Sequence, residues 1–336
     1  MTPQTQKLLK LVSGFPKIQV TVVGDLILDS YLECSALGVA NEAPVPFLKI
    51  SGQTHALGGA ANVANNMARL GVRTVLAGVI GSDKEAEILC ELVKKAGIEF
   101  HPLVTKRPTT RKTRVMAGGH YYLRLDDEDA TPLDSCHSQL LVQQVSEPLQ
   151  RSQILLASDY DKGMLRGGLA AQLEAMAETA RLRIVGDIKP QNMTYWKRLS
   201  VITPNLSEAR LLYSNLHPGS SGPESPVELA QLLAKTLSCA ILLKMSDKGV
   251  IVIAPSGTSH SFPALCLNPK NVAGAGDTVV AVLAAALSGN ADLHDAALLA
   301  NLAASIAVSH DGTYAVSGEE LSKAIQNYDI IVPGVQ

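Results

Sequence analysis

Six short apolar runs recur along this chain with stretches of helical period between most of them: "IQVTVVGD" (18–25), "TVLAGVIG" (74–81), "ILLASD" (154–159), "LRIVGD" (182–187), "VITPN" (201–205) and "CAILLK" (239–244). Runs that are apolar throughout, without alternation in polarity, must be covered on both faces once they form strands. Strands separated by helices pair in parallel, because only a long crossover brings the chain back to begin the next strand in the same direction. The expected fold is therefore α/β, a mostly parallel sheet with helices on both faces. Nothing repeats at a fixed period, so residues 1–336 read as a single domain. The segment "HPGSSGPESP" (217–226) reads as a surface connection within it.

The helical stretches carry their own punctuation. "GGAANVANNMARLG" (58–71) is a helix of small residues closed by glycine. In "SDKEAEILCELVKKAG" (82–97), Ser82 and Glu85 have the spacing of a capping box. Leu89, Leu92, Val93 and Ala96 share one face of that helix, and Gly97 ends it. Two stretches, "SYLECSALGVANEAPVPFLKISGQ" and "HPLVTKRPTTRKTRVMAGGHYYLRLDDE", are β-like and break the alternation. They predict a small extra sheet from lid insertions at about 31–55 and 101–126, serving as a lid or a dimer surface.

Composition removes several classes of function. With 29 Lys and Arg against 31 Asp and Glu the formal net charge is −2, and no basic stripe or like-charge block occurs, so no nucleic acid partner is expected. The five cysteines (Cys34, Cys90, Cys136, Cys239, Cys266) are scattered, odd in number and free of any C-x-x-C pair. They read as buried free thiols of a reducing compartment. The opening "MTPQTQKLLKLVSGFPK" lacks the apolar core of a signal peptide, and no run could span a bilayer. A cytoplasmic protein without membrane contact is expected, in which the sequons at Asn192 and Asn205 are chance matches.

The strand ends point to chemistry. In open parallel sheets ligands sit beyond the carboxyl ends of the strands. Here those ends read Gly24-Asp25, Ser158-Asp159, Asp187 with Lys189, and "TPNLSE", in which Asn205 and Glu208 lie three apart at a helix start. One acid after a strand is an ordinary cap, but several along one sheet edge suggest a site. In "VAGAGDTVV", Gly274, Ala275 and Gly276 leave the backbone open to close approach, and Asp277 opens an apolar helix. The first amides of such a helix form an anion site, as phosphoryl transfer requires. Asp277 there is either a helix cap or a base for an acceptor hydroxyl. Neither G-x-x-x-x-G-K-[ST] nor G-x-G-x-x-G occurs, which excludes a P-loop enzyme and the dinucleotide fingerprint.

"GAGD" with its small-residue helix, "NLSE", and "GGAANVANNMARLG" together resemble the ribokinase, or PfkB, family of sugar kinases from about residue 20 to 317. "VVGDLILDSY", "NEAPVPFLKI", "SDYDKG" and "DIKP" are similar to its kinases of D-glycero-β-D-manno-heptose 7-phosphate. The resemblance implies a ribokinase-like fold with a β lid that often forms a homodimer, and an ATP-dependent kinase making the 1,7-bisphosphate. Ribose, fructose phosphate or another sugar, or a non-catalytic sugar or nucleotide sensor, stay open as alternatives.

By that resemblance Asp277 is the general base, and the amides of Gly274, Ala275 and Gly276 stabilise the moving phosphoryl. Asn205 and Glu208 organise Mg²⁺ through water. Asp25, Gly58, Gly59 and Asn62 hold the sugar, while Ser246, Gly249 and Asn301 lie near the nucleotide with Asn205 and Glu208. A sugar that already bears phosphate needs cations. Lys112 and Arg114, two apart on a strand, are candidates, with Arg124, Lys162 and Lys189 beside Asp187; edge protection by charge is the other reading of the strand pair.

Two positions depart from the family pattern. Asn271 stands where the motif has an Asp that helps bind a monovalent cation, so dependence on such a cation stays open. Lys244 stands where many relatives have Thr. No room remains for the nucleotidyltransferase domain fused in some heptose enzymes, so that step is expected from another protein.

Overall fold

The computed structural model describes residues 1–220, 222–266 and 268–331. Its first strands are β1 (Gln19–Gly24), β2 (Leu26–Val39), β3 (Pro46–Gly59), β4 (Arg73–Ile80), β5 (Glu99–Val104), β6 (Arg111–Ala117) and β7 (His120–Asp127). Then come β8 (Ile154–Ser158), β9 (Arg183–Asp187), β10 (Val201–Ile202), β11 (Ala240–Lys244), β12 (Val250–Ile253) and β13 (Ser259–Phe262). The large sheet has the order β13-β12-β11-β10-β9-β8-β1-β4-β5, parallel from β11 to β5 with an antiparallel pair at the far edge. A smaller sheet, β3-β2-β6-β7, stands apart from it.

The apolar runs behave as their patterning requires. Val20, Val22, Ile154, Leu156 and Leu242 join a core with Val63 and Met67 of the Ala60–Arg69 helix and with the helices Ala275–Ser288 and Leu293–Ala307. Their alternates Val23, Leu155, Ala157, Ile241 and Leu243 face the opposite core, against Leu141, Leu173, Leu212 and Leu233 from four other helices. Every residue from 278 to 288 is buried. Full burial of each Val or Leu there contributes about 1.5–3 kcal/mol, and Ala281, Ala284 and Ala285 let the next helix approach. This packing fixes the helix whose N-terminus meets the sheet edge.

Three expectations change. Asp83, not Ser82, caps the third helix (Lys84–Lys95), its Oδ1 accepting the Ala86 N–H at 2.8 Å. The other oxygen accepts the Thr109 N–H at 2.7 Å, a long-range bond that Ser82 could not duplicate from one residue earlier. The second lid segment, expected from residue 101, joins the small sheet only at Arg111. Glu99–Val104 instead pairs parallel with β4 and closes the large sheet, with Leu103 turned into the core. The thiols are all free, but Cys136 is exposed, because it lies in the first turn of a surface helix.

Candidate active site

Parallel pairing brings the carboxyl ends of β1, β8, β9, β10 and β11 to one edge of the large sheet, so Asp25, Asp159, Asp187, Asn205 and Lys244 gather there. The Ala275–Ser288 helix starts against this edge. Gly274 is its N-cap, at φ +79°, and offers no side-chain cap. A Cβ at Gly274 would stand 3.0 Å from Thr313 Cγ2 and 3.1 Å from Asn62 Nδ2, so glycine is required on both counts.

Asp277 occupies the first turn but does not cap it. Its Oδ2 accepts the Asn62 Nδ2 proton at 2.6 Å, and its Oδ1 accepts the Tyr160 hydroxyl. Burial pushes its pKa up to about 6; the bonds from Tyr160 and Asn62 and the charge of Lys244 pull it back, while Asp187 adds to the rise. A carboxylate so held is ionised at neutral pH and able to take a proton. Asn62 is itself oriented: Asn66 Nδ2 donates to the Asn62 carbonyl at 2.9 Å, and the Thr278 hydroxyl donates to Asn66 Oδ1 at 2.9 Å. The small-residue helix is thereby tied to the helix carrying the acid.

Of the three amides expected to face a phosphoryl group, Ala275 donates to the Val272 carbonyl at 3.3 Å. The first-turn amides of Gly276 and Asp277 have no intrahelical acceptor. A cleft of about 780 Å³ ends at this turn, lined by Asn205, Lys244, Ser246, Gly249, Gly276 and Asn301 among others. All the residues expected near a nucleotide line it except Glu208. Asn301 also bonds the Pro263 carbonyl at 2.8 Å, which holds the cleft wall.

Asn205 and Glu208 form a reciprocal capping box, each side chain accepting the other's backbone N–H at 2.9 Å. The second Glu208 oxygen pairs with Lys189 Nζ at 2.5 Å. Each oxygen thus has one partner and one remaining lone pair, so the pair keeps acceptor capacity for Mg²⁺ or for its bound waters. Asn271 Oδ1 is taken up by the Ala273 N–H at 2.8 Å.

The expected sugar ligands divide. Asp25 is buried, with one oxygen accepting the N–H groups of Tyr160 (2.8 Å) and Lys162 (3.1 Å); it anchors the loop after β8 and also lines a small pocket with Arg107 and Lys162. Burial pushes its pKa up, as it does for its neighbour Asp159, raised to about 6. Gly58 and Gly59 serve close packing: added Cβ atoms would lie 2.6 Å from Asp29 Oδ2 and 2.5 Å from the Asp25 carbonyl. Asp187 accepts from Thr203 (2.8 Å) and Lys244 (2.9 Å).

Among the expected cations, Arg114 pairs with Asp29 at 2.6 Å, Arg124 with Asp126 at 2.7 Å and Lys162 with Glu128 at 2.6 Å. Lys112 lies 5.8 Å from the Tyr160 ring centre and Lys189 5.7 Å. Burial, then the charge of Lys162, lowers the Lys112 pKa. Tyr160 has no role legible in the sequence beyond its place in "SDYDKG", directly after a strand end. Lys244 was visible as an anomaly without a role.

The sequence profile of the pfkB family carbohydrate kinases matches residues 17–320. The chain belongs to this family. It is an ATP-dependent sugar kinase by that membership. Curated relatives include the bifunctional protein HldE of Rhodospirillum rubrum, 35% identical over 328 residues, covering 97% of this chain and 66% of the relative. HldE of Magnetococcus marinus is 35% identical over 326 residues, covering 93% and 65%. The chain thus spans just under two thirds of these relatives. Among solved structures, phosphofructokinase-2 from Escherichia coli superposes with a TM-score of 0.76 at 19% identity, covering 92% of this chain and 98% of that one. A ribokinase from Thermotoga maritima gives 0.70 at 21% identity, covering 92% and 100%. The chain therefore has the ribokinase-like fold of these solved kinases. No described helix is long and apolar enough to cross a membrane.

Proposed function

We propose that this chain transfers the γ-phosphoryl group of ATP to the anomeric hydroxyl of D-glycero-β-D-manno-heptose 7-phosphate, giving the 1,7-bisphosphate for ADP-heptose and lipopolysaccharide core synthesis in the cytoplasm. Residues 1–336 act as one kinase unit with the small sheet as its lid. The observation that carries the reading is Asp277, held by Asn62 and Tyr160 with its pKa raised to about 6, at the turn where the nucleotide cleft ends. The HldE relatives favour the heptose.

Asp277 takes the proton of the sugar hydroxyl as its oxygen attacks the γ-phosphorus, and the bond to the bridging oxygen breaks to release ADP. The amides of Gly276 and Asp277 and the helix dipole stabilise the charge on the moving group. Mg²⁺, when bound, neutralises phosphate charge; Asn205 and Glu208 would hold it through its waters. Lys112 and Lys189, which lie 5.8 and 5.7 Å from the Tyr160 ring centre, are the cations proposed to receive the sugar 7-phosphate.

A kinase for a different sugar is the second reading, favoured by the acidic partners already held by Arg114, Arg124, Lys162 and, through Glu208, Lys189. ADP release with ATP and Mg²⁺ should be compared across heptose 7-phosphate, free heptose, ribose and fructose 6-phosphate. Preference for an unphosphorylated sugar would refute the clamp. Asp277→Asn should lower kcat by roughly 10²–10⁴-fold in a folded protein; near-normal turnover would reduce Asp277 to a packing residue.

The lid also supports assembly. Leu123 and Leu125 alternate with Arg124 and Asp126 along β7, so the face opposite these charges is apolar, continued by Ile50 beside Cys34 on the neighbouring strands. We infer a homodimer in which a second copy covers this face.

A further inference from the structure

Lys244 ends β11, and its ammonium lies 2.9 Å from Asp187 Oδ1. It also stands 3.6 Å from the point a Cβ on Gly276 would occupy, on the wall of the 780 Å³ cleft. Its side chain is 16% exposed, and its charge reaches far enough to act on Asp277. An ammonium has three donors, and Asp187 uses one. Among the described residues Asp187 is the only carboxylate paired with it.

The position is specific. Asp187 Oδ1 also accepts the Thr203 hydroxyl at 2.8 Å, so the acid is gripped from β9 and from the loop after β10, and it holds the ammonium in turn. The Asn205–Lys244 bridge sets the backbone of the same strand end beside the capping box. A cation thus stands against the first-turn amides, fixed before any ligand arrives. The chain lacks the loop lysine of G-x-x-x-x-G-K-[ST], and here a strand end supplies a lysine instead.

We propose that Lys244 is a catalytic residue: its ammonium binds the β- and γ-phosphate oxygens of the nucleotide and stays on the γ-phosphoryl group through transfer. This rests on the kinase reading. It assigns to one side chain the charge that phosphoryl transfer needs on the oxygens spreading in the transition state, in a site whose amides alone carry only partial charges.

The competing role is structural, with Lys244 doing no more than neutralise Asp187. Two variants separate the roles, Lys244→Met and the double variant Lys244→Met/Asp187→Asn, each titrated with ATP, ADP and AMP in the presence of Mg²⁺ by calorimetry or thermal shift. The expected result for Lys244→Met is a loss of about 10-fold or more in ATP and ADP affinity, AMP unchanged within about 2-fold, and kcat lowered by about 10²-fold with sugar KM unchanged. The double variant removes both charges, so it should regain stability while the preference for ATP and ADP over AMP stays lost. Equal loss for all three nucleotides, or recovery of ATP affinity in the double variant, overturns the proposal. A wild-type chain that binds no nucleotide would overturn the kinase reading itself, a failure visible before any variant is made.

Discussion

Replacing Tyr160 with phenylalanine removes one hydroxyl from the base and little else. The Tyr160 hydroxyl donates to Asp277 Oδ1, while its backbone N–H stays on Asp25 and its ring stays near Lys112 and Lys189. Burial and the charges of Asp277 and Asp187 hold the phenol well above its ordinary pKa, so it is a neutral donor throughout the working range. A hydrogen bond to a charged acceptor contributes about 1.5–3 kcal/mol, and one pKa unit corresponds to about 1.4 kcal/mol. Loss of the hydroxyl should therefore raise the Asp277 pKa by about 1–2 units. The sign follows from the chemistry. The base works ionised, so kcat/KM falls as pH drops through its pKa, near 6 in the wild type. In Tyr160→Phe the acid limb should move to about pH 7–8, and the two enzymes should converge on the alkaline side. The assay is ADP release under kcat/KM conditions from pH 5 to 9, with thermal stability measured beside it. An acid limb unmoved within about 0.3 unit, in a variant that is merely less stable, would refute the coupling between Tyr160 and the base.

Other perturbations test other parts. Gly274→Ala forces a left-handed backbone on a residue with a Cβ and crowds Asn62 Nδ2 at 3.1 Å; it should cost about 1–3 kcal/mol in urea unfolding and lower kcat by displacing Asn62 from Asp277. An unchanged unfolding midpoint would count against the strain. Leu125→Lys, on the apolar face of the lid, should convert a sedimenting dimer to monomer, and a monomeric wild type would remove the proposed interface.

The large sheet was legible because burial on both faces leaves a local mark: Val20 and Val22 face one core and Val23 the other, within one quoted run. The strand ends were legible for the same reason. Which way their polar groups turn was not, because that depends on partners far along the chain. Asp25 meets amides 135 and 137 residues away, which fix one of its oxygens on the loop after β8. Asp277 meets Asn62 across 215 residues and Tyr160 across 117, and these bonds, not its helix position, take its carboxylate away from capping, as the proposed base requires. Arg114, Arg124 and Lys162 read as unpaired cations until the folded chain supplies Asp29, Asp126 and Glu128. β5 was lost to the lid because six residues of mixed polarity carry no sign of the sheet they will join.

Lys244 shows the limit most clearly. In sequence it is only a departure from the family pattern. Strand order gives it meaning, since β11 and β9 flank β10 and their carboxyl ends bring Lys244 to Asp187 across 57 residues of chain. An unpartnered ammonium at a buried strand end would be costly, and an unpartnered Asp187 equally so. Each therefore stabilises the other. The pair leaves a net donor facing the cleft, because the carboxylate is also held from behind by Thr203 while the ammonium keeps two protons. A substitution that made only a salt bridge could sit anywhere along β9 and β11; this one sits where the helix amides begin.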